Sequence, residues 1–128
     1  MNKIESMAAT SFANAHLAHV GARCRGCGGH THVTRAPEKG RTELWLYNTR
    51  VLAATGTPSD YRLFADVGHF TNTTRSRVNA ALEGLGVGLR VRCKGGEPLW
   101  TKDGTPVGGK RANGYCPVFS VINGEVLA

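Results

Sequence analysis

The chain has 128 residues, 41% of them apolar and 20% charged, with a formal net charge of +7. That apolar content excludes global disorder and suffices for the core of one α+β domain spanning residues 1–128. No run of about 18 uncharged apolar residues is present, and the opening residues lack the basic start and leucine-rich run of a secretory signal, so the expectation is a soluble protein of the host-cell cytoplasm with no membrane partner.

In residues 3–20, Ile4, Met7, Ala8, Phe12, Ala15 and Ala18 recur at spacings of three and four, the stripe of a helix that covers a sheet. Residues 21–35 form a Cys/Gly/His-rich knuckle, Gly21 to Gly29, running into a short strand at His30–Arg35, and a turn follows at Ala36–Gly40. Thr42–Thr49 and Arg50–Ala54 are rich in β-branched and aromatic residues, Thr55–Ser59 reads as a hairpin loop, and Tyr61–Val67 alternates as a strand. Thr71, Asn72, Thr73 and Thr74 are helix starters, and Val78, Ala81, Leu82 and Leu85 carry helical spacing, which predicts a helix over 74–85 ended by Gly84 and Gly86. Gly86–Lys94 alternates strictly: Val87, Leu89, Val91 and Cys93 face the core, and Arg90, Arg92 and Lys94 form a cationic ladder. Asp103-Gly104 and Asn123-Gly124 each mark a two-residue hairpin turn, so residues 42–128 read as an antiparallel sheet of hairpins and a meander around the central helix.

Residues 69–111 hold eight Lys and Arg against Glu83, Glu97 and Asp103, five of the seven net positive charges. Such an excess points to nucleic acid, a nucleotide or another polyanion as partner. Its densest part is the helix start: backbone N–H groups, the hydroxyls of Thr73 and Thr74, and the guanidinium groups of Arg75 and Arg77 suit an anion. Arg90, Arg92 and Lys94 follow at intervals of about 7 Å along one strand face. Phe70, Trp45, Tyr47 and Trp100 are candidate stacking platforms for a base, with Phe70 the best placed because it precedes the capping run.

Cys24, Cys27, His30 and His32 have the local spacing of a zinc knuckle, with Cys93 and Cys116 as alternative ligands. Structural zinc and free or redox-active thiols both remain open; for Cys93 an inert core thiol is expected. Acidic residues are scattered without paired spacing and no nucleophile motif appears, which argues for a binding protein rather than an enzyme. His69, beside the capping run, is the histidine best placed for acid, base or ligand chemistry.

Tyr47-Asn48-Thr49 with Val51-Leu52-Ala53, then Phe70-Thr71-Asn72-Thr73-Thr74 opening a helix that contains Asn79, resembles a group of small phage-borne domains; the likeness spans residues 44–85. The layout is also similar to the phage Thoeris anti-defence sponge proteins, which sequester nucleotide signals of the cyclic ADP-ribose type. That resemblance implies that Phe70 stacks on adenine, Asn79 hydrogen-bonds the ligand, and Arg90 or Arg92 holds its phosphates. The chain departs from the pattern at Arg75-Ser76-Arg77, where the family has Ser-Arg-His, and in carrying the segment with Cys24 and Cys27.

The sequence thus leads to a non-catalytic, phage-type accessory protein that binds a phosphate-bearing ligand, a nucleotide signal or nucleic acid, and counteracts host defence. The alternatives are a zinc-knuckle protein that binds a host protein, and a small metal-dependent nuclease or phosphodiesterase using His69. Unpaired sheet edges suit a homo-oligomer.

Overall fold

A computed structural model describes residues 10, 12–14, 31–36, 40–107 and 115–127. The protein is α+β and antiparallel, as the alternation of its strands predicts. Residues 10 and 12–14 are helical (α1). Next come β1 (Thr31–Ala36), β2 (Arg41–Leu46), β3 (Thr49–Thr57), β4 (Asp60–Ala65), α2 (Asn72–Leu85), β5 (Leu89–Lys94), β6 (Glu97–Lys102), β7 (Thr105–Pro106), β8 (Val118–Ile122) and β9 (Glu125–Leu127). They form a six-stranded sheet in the order β1-β2-β3-β4-β8-β9 and a three-stranded sheet in the order β5-β6-β7.

The tight turns follow from local chemistry. Asp103-Gly104 and Asn123-Gly124 both take positive φ, the conformation that matches the twist of a two-residue hairpin. Gly95-Gly96 does the same between β5 and β6. Gly56 is glycine for another reason. At φ 91 it lies inside β3, where a Cβ would run into the Asp60 carbonyl oxygen. β3 therefore continues to Thr57, and the turn shrinks to Pro58-Ser59 instead of filling the expected loop from Thr55.

One turn has no counterpart in the sequence pattern. Tyr47 and Asn48 connect β2 to β3, with Tyr47 at φ 56, where the pattern predicts continuous strand through Thr49. A bulky residue in the left-handed region has no local sequence signature, because sterics disfavour it there. Beyond this turn the register slips: Leu44 faces Leu52 and Trp45 faces Arg50, so Val51 has no partner in β2. The bulge buries the consecutive side chains Val51 and Leu52 and leaves Arg50 exposed beside Trp45.

One face of the six-stranded sheet supplies Val33, Leu44, Leu52, Ala54, Leu63, Phe119 and Val121 to the core, and α2 packs there through Val78, Ala81, Leu82 and Leu85. Phe12 of α1 joins the same cluster and is fully buried. The three-stranded sheet adds Leu89, Val91 and Trp100; the Trp100 indole meets the Phe119 ring at 5.3 Å with a tilt of 53°, linking the two sheets.

α2 starts two residues earlier than expected and ends at Leu85, as expected. Thr71 is the N-cap, accepting from the Thr74 amide at 3.1 Å, so Asn72 and Thr73 already belong to the helix. Gly84 stays helical, and Gly86, at φ 71, makes the stop by donating its N–H to Leu82 and Glu83. Cys93 is a correction as well: it shares a face with Leu89 and Val91 but lies past the edge of the core and is exposed. Alternation sets the face of a strand residue, while the extent of the opposing layer sets its burial. No described helix is long and apolar enough to cross a membrane.

Candidate functional site: an arginine groove between α2 and β5

Arg75, Asn79 and Glu83 lie four residues apart and so form one row along α2, and that row runs beside β5. Between them opens a groove of about 440 Å³ lined by Arg75, Asn79, Arg90, Val91, Arg92 and Cys93. Arg90 and Arg92 also line a second hollow, of about 290 Å³, with Glu83, Gly88, Thr101 and Asp103.

Asn79 fixes the groove floor. Its side-chain amide donates to the Val91 carbonyl at 2.9 Å, and its oxygen accepts from the Val91 amide at 2.8 Å. A side chain thus pairs with the free edge of β5 much as a neighbouring strand would, satisfying two backbone groups away from water. At 9% exposure, with both ends of its amide engaged, Asn79 holds Arg90 and Arg92 in place beside the helix.

The guanidinium groups are differently circumstanced. Arg90 and Arg92 are exposed on the outward face of β5. Arg75 is half-buried and donates to Asn72 Oδ1 at 3.0 Å. None of the three forms an ion pair with a described carboxylate; the ion pairs of the described residues lie at Glu43, with Arg41 and Arg50, and between Lys102 and Asp103. Three cations around one concavity, none in an ion pair with a described carboxylate, raise the local potential and suit an anion.

Arg77 does not join them. Two residues along a helix is about 200° of rotation, so it points the other way, donating to Thr31 Oγ1 of β1 at 3.3 Å and to Ser76 at 2.9 Å. Arg75 and Arg77 therefore cannot grip the same phosphate. Thr74 is buried at 2%, its hydroxyl donating to the His69 carbonyl at 2.9 Å, which ties the first turn of α2 to the preceding loop. Thr73 is exposed at the first turn, Lys94 is exposed at the far end of β5, and Phe70 is half-buried against the core. His69 is exposed in the loop before α2.

Of the other aromatic candidates, Trp100 is core and Tyr47 is exposed at the β2–β3 turn. Trp45 lies on the outer face of the six-stranded sheet, parallel to the His32 ring at 6.1 Å. Phe64 lies on that face too, 38% exposed; alternation sets it on the face opposite Leu63 and Ala65 but does not say what its side of the sheet will meet.

Cys24, Cys27 and His30 lie outside the described residues. Among the described residues no three His, Cys, Asp or Glu side chains gather as a metal site. Cys93 and Cys116 are both exposed. Burial and the neighbouring Asp66 carboxylate, to which it donates at 3.6 Å, push the Cys116 thiol above its ordinary pKa, so it is held in the neutral form.

Comparison with family models, with curated proteins and with solved structures returns no match. The groove must be interpreted from its own chemistry.

Proposed function

We propose that the protein binds the sugar-phosphate backbone of a nucleic acid along the α2/β5 groove and performs no chemistry on it. The observation that carries this reading is the convergence of Arg75, Arg90 and Arg92 on one open groove, none of them within ion-pair distance of a described carboxylate. Arg90 and Arg92 repeat along β5 at about 7 Å, a spacing an extended strand of phosphates can follow. Guanidinium groups keep their protons at any physiological pH, so they hold phosphate without shuttling protons. The net charge of +7 extends the attraction beyond the groove.

An open groove favours a polymer over a small nucleotide, which is usually enclosed on most sides by its pocket. In a phage setting, such a protein would act as an accessory factor that occupies nucleic acid and so counters a host defence that reads it.

The test is fluorescence anisotropy with labelled oligonucleotides of 6, 12 and 24 nucleotides across a salt series. Affinity should rise with length and fall steeply with salt, by roughly 0.7 to 0.9 in log-log slope for each phosphate contacted. Arg75→Ala, Arg90→Ala and Arg92→Ala together should abolish binding in a folded protein. Length-independent, saturable binding of a mononucleotide instead would replace this reading with a nucleotide sponge.

A further inference from the structure

The outer face of the six-stranded sheet carries a second concavity, of about 410 Å³, lined by Trp45, Asn48, Thr49, Arg50, Phe64, Ala65 and Asp66. Its volume falls within the range of about 300–1,000 Å³ typical of small-molecule sites. Two of its walls are aromatic, Trp45 from β2 and Phe64 from β4, and its rim is polar.

The Trp45 wall and the charged rim are held in place. Trp45 Nε1 donates to Thr34 Oγ1 at 3.0 Å, and His32 stacks against the indole at 6.1 Å with 2° between the planes. His32 sits on β1, so the other side of the indole is turned toward β3 and the hollow. The bulge at Val51 sets Arg50 opposite Trp45, and the Glu43 carboxylate fixes its guanidinium at 3.0 Å. Asp66 Oδ1 accepts from the Gly68 amide at 3.0 Å. Phe64 remains 38% exposed, and its cross-strand neighbour Val118 remains 55% exposed.

This is poor phosphate chemistry, because Glu43 and Asp66 offset the local arginines. It is good chemistry for a nucleobase: flat apolar walls for the ring, donors at Asn48 and Arg50 and an acceptor at Asp66 for its edge. We infer that the hollow between Trp45 and Phe64 takes one unpaired base, so that the nucleic acid bound is single-stranded. The inference rests on the backbone-binding reading above for its choice of ligand, and it divides the labour: arginines of α2 and β5 hold phosphates, and the outer sheet face holds a base. In a duplex every base is stacked and paired, and none is free to enter.

The experiment uses the full chain and three probes of equal length: a 12-residue oligothymidylate, a 12-residue abasic deoxyribose-phosphate strand, and a 12-base-pair duplex. Tryptophan fluorescence reads the site directly, since the only other tryptophan, Trp100, is buried against Phe119. Oligothymidylate should quench the emission and the abasic strand should not. Phe64→Leu should weaken oligothymidylate binding by at least about fivefold, the lower end of what stacking one base supplies, and leave abasic-strand binding unchanged. Phe64→Tyr should restore it. Trp45→Phe, which preserves a ring where removal risks the fold, should keep binding and lose the quench.

Equal affinity for the thymidylate and abasic strands, no quench, or an undiminished Phe64→Leu variant would overturn the inference, as would tighter binding of the duplex. The groove fails separately: if the variant lacking Arg75, Arg90 and Arg92 still binds the abasic strand, the phosphate site is elsewhere, and Phe64→Leu alone then judges the base site.

Discussion

On the outer face of the six-stranded sheet, Arg41 and Arg50 both close on the Glu43 carboxylate, at 3.3 and 3.0 Å, and Thr34 approaches the same carboxylate at 3.5 Å. Around the α2/β5 groove, Arg75, Arg90 and Arg92 form no ion pair with a described carboxylate, and the buried side-chain amide of Asn79 is given over to the backbone. In the first region the charges are compensated as the chain folds, so their removal should be felt as lost stability. In the second the cations repel one another, so, if the groove takes an anion as proposed, their removal should be felt as lost binding.

The largest expected effect falls on Asn79, which bounds the two regimes because it is polar, lines the groove, and is structural. Asn79→Leu leaves the Val91 N–H and C=O buried without partners, at about 1–3 kcal/mol each, so a loss of about 2–6 kcal/mol is expected in urea unfolding. Because β5 is released from the helix, the groove should also lose its ligand. A variant as stable as the parent would show that Asn79 does not anchor β5 and would return its amide to the ligand.

Glu43 comes next. Glu43→Gln keeps the shape and some hydrogen bonding but leaves two arginines without their counter-charge. Because the Arg50 side chain is 40% exposed and solvent screens it, the cost is held to about 1–2 kcal/mol, read as a lower thermal midpoint. Thr71→Ala, which removes the N-cap of α2, should cost about 1 kcal/mol in the same assay. Both should leave the affinity for an abasic strand within about twofold, since neither residue lines the groove.

How far the sequence foretold these two regions follows from the range of the interactions involved. Periodicity placed α2, β4 and β5, and Asp103-Gly104 and Asn123-Gly124 marked their turns, because those signals are local. It also put Arg75, Arg90 and Arg92 among the candidates, and the fold brings these three together. It placed Arg77 beside Arg75, although helical rotation sends the two to opposite sides. It put Cys93 in the core, since alternation does not say where the opposing layer stops. The Tyr47-Asn48 turn, the Val51 bulge and the Asn79–Val91 pairing were not legible. Each depends on a contact with a strand or helix set by the rest of the fold, and an Asn in mid-helix looks the same in sequence whether it meets water or the edge of a sheet.

The smallest expected change in stability is the most informative. Arg90 and Arg92 are exposed on the outward face of β5, and neither has a described ion-pair partner. Arg90→Ala with Arg92→Ala should therefore move the unfolding free energy by no more than about 0.5 kcal/mol, with relief of mutual repulsion opposing the lost packing of the side-chain stems. If each arginine holds one phosphate, the same double variant should flatten the log-log salt dependence of single-strand binding by about 1.4, which is two contacts at about 0.7 each. A flattening without destabilisation makes these arginines a binding surface held ready by Asn79. A destabilisation of about 2 kcal/mol or more with the slope unchanged would make them, like Arg41 and Arg50, part of the fabric of the fold.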